Sequence, residues 1–198
     1  MTPTPIFRSP IAAPERPVEG GAAGQNLALA DLTGAPVILI QGRADRALKK
    51  HFASLPANPG NLTDLGDGLL ARLRPDQLYL FGKTREADLP SASTLEAGLA
   101  GAKPATQAID FTHGKAVLRL VGPAAPEMLG KVCGLDFREA AFPTLQVRQT
   151  SAARIKTLIA RFDEGDTVAY YLHVDRPLGQ YFWEVVWDAG QEFGMVAF

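Results

Sequence analysis

Val37-Ile-Leu-Ile-Gln-Gly42 is followed eighty positions later by Val117-Leu-Arg-Leu-Val-Gly122. Each is a short aliphatic run closed by glycine, and each leads into apolar residues at helical spacing. These are Ala44, Ala47, Leu48, His51 and Phe52 in the first copy, with Ala124, Met128 and Val132 matching Ala44, Leu48 and Phe52 in the second. A four- or five-residue aliphatic run bounded by a turn residue reads as a buried strand, and apolar positions at i, i+3, i+4, i+7 and i+8 read as one helix face. The pair therefore predicts strand, glycine turn and helix, occurring twice.

Working outward, Pro56 and Pro59-Gly60 end the first helix. Leu69 to Leu73 and Gln77 to Phe81 alternate as strands around the Arg74-Pro75-Asp76 turn, and a helix from about Ser91 to Leu99 closes the first half. In the second half, Arg154 to Phe162 and Thr167 to Val174 flank the Asp163-Glu-Gly-Asp166 turn, followed by a helix from near Pro177 to about Glu192. The order β-α-β-β-α thus recurs, giving the expected fold class: α+β, two related halves of one duplicated domain (about 27–104 and 105–198), with helices packed on one face of each sheet. Residues 1–26 hold five prolines and the Gly20-Gly21-Ala-Ala-Gly24 run, so they read as an extended arm, with Ile6, Phe7 and Ile11 as anchors for a partner.

Composition limits the functional classes. The 198 residues are 46% hydrophobic and 21% charged with net charge -1, which excludes disorder throughout and supplies no global field for nucleic acid or an anionic membrane. Cys133 is the single cysteine, so no internal disulfide forms, and neither a signal-like segment nor an 18-residue apolar run occurs. A cytoplasmic location without membrane association is expected. Asn61-Leu62-Thr63 then reads as a polar turn rather than a glycosylation acceptor.

The common catalytic signatures are missing: GxxxxGK[ST], GxSxG, HExxH and CxxC do not occur. Gly66-Asp-Gly-Leu-Leu-Ala71 fits GxGxxA but leads into a strand, where no helix N-terminus can face a pyrophosphate. His51, His113 and His173 lie far apart without ligand-spaced neighbours, so no metal site is expected; His51 and His173 read as packed histidines. Asp110-Phe-Thr-His-Gly114 places two polar side chains at a turn between strands, making Asp110 and His113 the candidates for cofactor contact, although no nucleophile stands beside them. Cys133 reads as a buried inert thiol, and Asp163, Glu164 and Asp166 as a solvated turn. No catalytic residue is identified.

In the last helix Leu178, Tyr181, Phe182, Val185, Val186, Ala189 and Phe193 fall within about 140° at 100° per residue and form the expected core stripe. Trp183 and Trp187 fall on a second face with Gln180 and Gln191. Two indoles facing water would mark a partner interface.

The stretch Asp110-Phe-Thr-His-Gly-Lys-Ala-Val-Leu-Arg-Leu-Val-Gly-Pro123, the Ala141-Phe-Pro143 step and the Tyr181 to Gly194 segment together resemble the gamma subunits of heterotetrameric sarcosine oxidases. The D-x-[ST]-H-G pattern before a strand and G-P is shared with the folate-dependent aminomethyltransferases of glycine cleavage. The resemblance implies a noncatalytic subunit in a complex with alpha, beta and delta subunits. That complex oxidatively demethylates sarcosine to glycine, forms hydrogen peroxide and passes the one-carbon unit to tetrahydrofolate. It further implies that FAD, FMN, NAD, zinc and tetrahydrofolate are held by the other subunits. The alternatives are a stand-alone folate-binding aminomethyltransferase-like protein, with Asp110 and His113 bordering the ligand, and a subunit of a related N-methyl amine demethylase.

Overall fold

A computed structural model describes residues 8–12, 26–43, 45–102 and 105–198. The first half runs β1 (Ala28–Asp31), β2 (Val37–Gln41), α1 (Asp45–Leu48), β3 (Leu62–Asp64), β4 (Gly68–Arg74), β5 (Gln77–Gly82) and α2 (Ala92–Leu99). The second runs β6 (Gln107–Asp110), β7 (Lys115–Val121), α3 (Ala125–Val132), β8 (Gln146–Ala152), β9 (Ile155–Arg161), β10 (Ala169–Asp175) and α4 (Gly179–Gly190), with β11 (Val196–Ala197) appended. Each half contains the expected β-α-β-β-α series plus a leading strand and a further strand after its first helix, three residues long in β3 and seven in β8. β1 and β6 pair with distant segments, so local periodicity does not reveal their partners, whereas β3 and β8 pair with the strand that follows each.

The first strand of each half leaves its own sheet. One sheet has the order β11-β1-β7-β10-β9-β8 and the other β3-β4-β5-β2-β6. β1 pairs antiparallel with β7, and β6 pairs antiparallel with β2, so each half donates its leading strand to the other. The boundary between 27–104 and 105–198 therefore divides the repeat but not the packing.

Four layers result. Val37, Leu69, Tyr79 and Phe81 of one sheet pack against Val117, Leu158, Ala160 and Tyr171 of the other. The outer face of the five-stranded sheet carries α1 and α2 over Ile38, Ile40, Leu70 and Leu80; that of the six-stranded sheet carries α3 and α4 over Leu118, Leu120, Tyr170 and Leu172. Inner and outer residues alternate along the strands because successive side chains point to opposite faces. Burial of both faces explains why β10 reads as an almost continuous apolar run.

Local chemistry fixes the element ends. The Ser91 hydroxyl accepts the Thr94 N–H at 3.1 Å and caps α2, and Pro126 sits in the first turn of α3, where no donor is needed. Gly42 and Gly122 take φ of +127° and +131°, and a Cβ there would lie 2.4 Å from Thr106 Oγ1 and from the Asn26 carbonyl oxygen. Only glycine fits where the other half's chain passes so closely.

Three expectations change. The first helix is a single turn, Asp45–Leu48, although Leu48 and Phe52 are buried as its pattern requires. Ile11 packs within this chain's own helix-side core rather than waiting for a partner: the Ala12 N–H donates to Gln180 Oε1 at 2.7 Å, and Pro10 and Ile11 lie over Gly179. Ile6 and Phe7 lie outside the described residues. Finally, the buried stripe of α4 is Gly179, Phe182, Trp183, Val186, Ala189 and Gly190, whereas Leu178 and Tyr181 are exposed.

Candidate functional site

The inner faces of β5 and β10 meet at a buried pair. Tyr79 and His173, 5% and 2% exposed, stand with the phenol oxygen 3.3 Å from Nδ1 of the imidazole. Phe81 meets the His173 ring nearly edge-on at 4.6 Å. Burial, assisted by Asp175, raises the Tyr79 phenol far above its usual range, so it stays protonated. Burial, with Lys115 adding to it, pushes the His173 imidazole down to about 3. The protonated phenol and the neutral imidazole share this hydrogen bond through Nδ1, which leaves Nε2 as the other ring nitrogen. That nitrogen is buried without a hydrogen-bond partner among the described residues.

A cavity of about 230 Å³ lies at this pair, between the two sheets. Leu39, Leu73, Phe111 and Leu158 form its apolar wall, while Arg74, Lys115, Lys156 and Asp175 supply its charged lining. Lys115 Nζ is 2.5 Å from Asp175 Oδ1. A larger, more open groove of about 630 Å³ near Gly42 carries Arg43 and Asp76 as its charged groups. The smaller cavity is where titratable side chains converge.

Asp110 and His113 are both exposed, and the cavity lining takes Phe111 and Lys115 from their turn instead. Asp110 Oδ1 accepts the Thr112 N–H at 2.8 Å, an Asx turn. Asp31 Oδ1 accepts the Thr33 N–H at the same distance in the first half. Asp110 thus performs a structural task that its counterpart repeats. Gly114 lies outside the positive-φ region, so no unusual backbone conformation underlies this turn.

Trp183 does not face water. It is 3% exposed in the helix-side core, and half-buried Trp187 stacks on it at 6.1 Å with ring planes 9° apart. The cause is the wider buried arc of α4, which packs against α3 as well as against β7 and β10. The two indoles therefore partner each other instead of presenting an open interface; large apolar exposure on this helix lies at Tyr181, 45%, with Leu178 just before it at 37%.

The acidic turn is engaged rather than merely solvated: Asp163 accepts from buried Arg161 at 2.8 and 2.9 Å, and Glu164 pairs with Arg119 and accepts the Tyr171 hydroxyl at 3.2 Å. Among the described residues no three His, Cys, Asp or Glu side chains form a metal-binding group, and no helix is long and apolar enough to cross a membrane. Cys133 is buried, its Sγ 3.7 Å from Thr150 Oγ1.

The residues missed by sequence reasoning are Tyr79, Arg74, Lys115 and Lys156; His173 was expected only to pack. Strand alternation marks Tyr79 and His173 as inward-facing but cannot show that they face each other.

Comparison with known proteins agrees with this architecture. The chain is 33% identical over 111 residues to the sarcosine oxidase subunit gamma of Corynebacterium sp. (strain U-96), covering 56% of this chain and 52% of that protein. The chain thus spans about half the length of that curated relative. A solved structure of heterotetrameric sarcosine oxidase from Corynebacterium sp. U-96, in complex with pyrrole 2-carboxylate, contains a chain of the same fold: TM-score 0.74, 24% identity, 87% of this chain and 88% of that one. Aminomethyltransferase T of the glycine cleavage system from Bartonella henselae matches with TM-score 0.65 and 17% identity, over 87% of this chain and 48% of that one. Since the family model of the GCVT N-terminal domain matches residues 51–198, most of the sequence, this chain belongs to that family.

Proposed function

We propose that the chain is a noncatalytic gamma-type subunit of a sarcosine oxidase-like heterotetramer in the cytoplasm. In this reading alpha-, beta- and delta-type partners carry FAD, FMN, NAD, zinc and tetrahydrofolate, and the complex demethylates sarcosine to glycine with release of hydrogen peroxide. The observation that carries the reading is the 33% identity to a sarcosine oxidase gamma subunit. The likeness in fold over most of a similarly sized chain supports it.

The contribution of this chain is a shaped surface rather than a reacting group. Exposed Tyr181 and Leu178 at the start of α4 form an apolar contact, beside the place where residues 8–12 are docked. Tyr181 is also held in place, because its hydroxyl donates to the Ala153 carbonyl at 3.1 Å. An aromatic anchor fixed before binding loses little conformational freedom on association.

Co-expression with flavin-bearing sarcosine oxidase subunits tests the assignment. A tagged chain is expected to retain a yellow complex that oxidises sarcosine, and Tyr181→Ser with Leu178→Ser is expected to release it. A colourless chain that binds tetrahydrofolate alone, and loses it when His113 is replaced, would establish the aminomethyltransferase-like alternative instead.

A further inference from the structure

We infer that the cavity between the two sheets, with Tyr79 and His173 at its buried end and Arg74, Lys115 and Lys156 around it, is a binding site for a small carboxylate. The inference does not depend on the assembly role.

Three cations line the cavity against one carboxylate, and Lys115 already holds that carboxylate, Asp175, at 2.5 Å. Among the described residues Arg74 and Lys156 make no ion pair, which leaves net positive charge at a concave surface. Concavity between low-dielectric walls concentrates that field on a bound anion. The buried end is neutral, because the imidazole remains unprotonated at ordinary pH, and its Nε2 is a buried polar atom without a hydrogen-bond partner among the described residues. The positive charge calls for an anionic ligand, and the unpartnered ring nitrogen for one that can hydrogen-bond to it.

The wall selects among anions. Leu39, Leu73, Phe111 and Leu158 present hydrocarbon that a fully hydrated inorganic anion would desolvate against, whereas a short aliphatic chain gains from contact with them. At about 230 Å³ the space is below the range of drug-sized ligand pockets, so it suits a small organic acid. Arg74 offers a planar fork matched to a carboxylate, and Lys156 a mobile point charge.

Equilibrium dialysis of radiolabelled butyrate against the full-length chain, or against the complex in which it purifies, tests the site. Expected is saturable binding of about one butyrate per chain, displaced by other short carboxylates but not by sulfate or 1-butanol, and weakened about tenfold or more by Arg74→Gln with Lys156→Gln. Both side chains are exposed, so the double variant keeps the fold. Absence of saturable binding, unchanged affinity in the double variant, or equal displacement by sulfate would overturn the assignment.

Discussion

The Thr112 hydroxyl accepts the Val37 N–H at 3.0 Å, across 75 positions of chain. The Thr33 hydroxyl accepts the Val117 N–H at 3.1 Å, making the same bond in the opposite direction between the halves. The neighbouring backbone bonds are also reciprocal: Phe111 N–H to the Val37 carbonyl and Leu32 N–H to the Val117 carbonyl, both 2.8 Å. These bonds lock each donated strand to the sheet that receives it.

Thr33→Val and Thr112→Val each leave a strand N–H without its acceptor. Such a loss costs about 1–3 kcal/mol when the group is buried. Thr33 is fully buried and Thr112 half-buried, so urea midpoints should fall in both variants and further for Thr33→Val. Equal or unchanged midpoints would show that strand exchange does not rely on these hydroxyls.

Gly42→Ala and Gly122→Ala combine an unfavourable φ with a Cβ placed 2.4 Å from the other half's chain. The destabilisation expected from conformation alone is about 1–3 kcal/mol, and steric displacement adds to it. Gly66→Ala is the control: its φ is also positive, at +87°, but nothing lies within 4 Å of the added carbon. Thermal unfolding should rank Gly66→Ala as the mildest of the three.

The neutral state of His173 has a consequence for pH. Its reference value is 6.5 and its folded value about 3, so below about pH 6.5 the unfolded chain binds a proton that the folded chain refuses. Stability from this group is complete above pH 6.5 and is lost as pH falls toward 3, by up to about 1.4 kcal/mol per pH unit. Lys115 is the charged group that acts on it, and Tyr79 is its hydrogen-bond partner. Lowering the pH from 7 to 5 should reduce the urea midpoint of the native protein more than that of His173→Gln. The exposed Asp136, held at about 2 by its hydrogen bonds from Arg138, titrates below that window.

Burial separates the aromatic residues of α4 into two roles. Trp183→Ala removes a buried indole and should destabilise the fold by about 3–5 kcal/mol. Tyr181→Ser with Leu178→Ser should shift unfolding much less while weakening subunit association. Comparing Tm with co-purification yield checks both, and the opposite ranking would return the interface to the tryptophans.

What the sequence determined by itself are features governed by nearest neighbours along the chain. Alternation from Leu69 to Phe81 and from Arg154 to Val174 places the hairpins, because strand periodicity is set by backbone geometry. The aliphatic runs ending at Gly42 and Gly122 place the repeat, because glycine alone tolerates the turn that follows. What only the tertiary structure decided depends on which surface meets which. β1 and β6 change sheets because their partners lie in the other half, Trp183 is buried because the helix-side core and Trp187 cover it, and Tyr79 meets His173 because the two inner faces pack together. The cavity beside that pair belongs to neither strand alone; it forms where two sheets stack, and stacking is a long-range property that local periodicity does not encode.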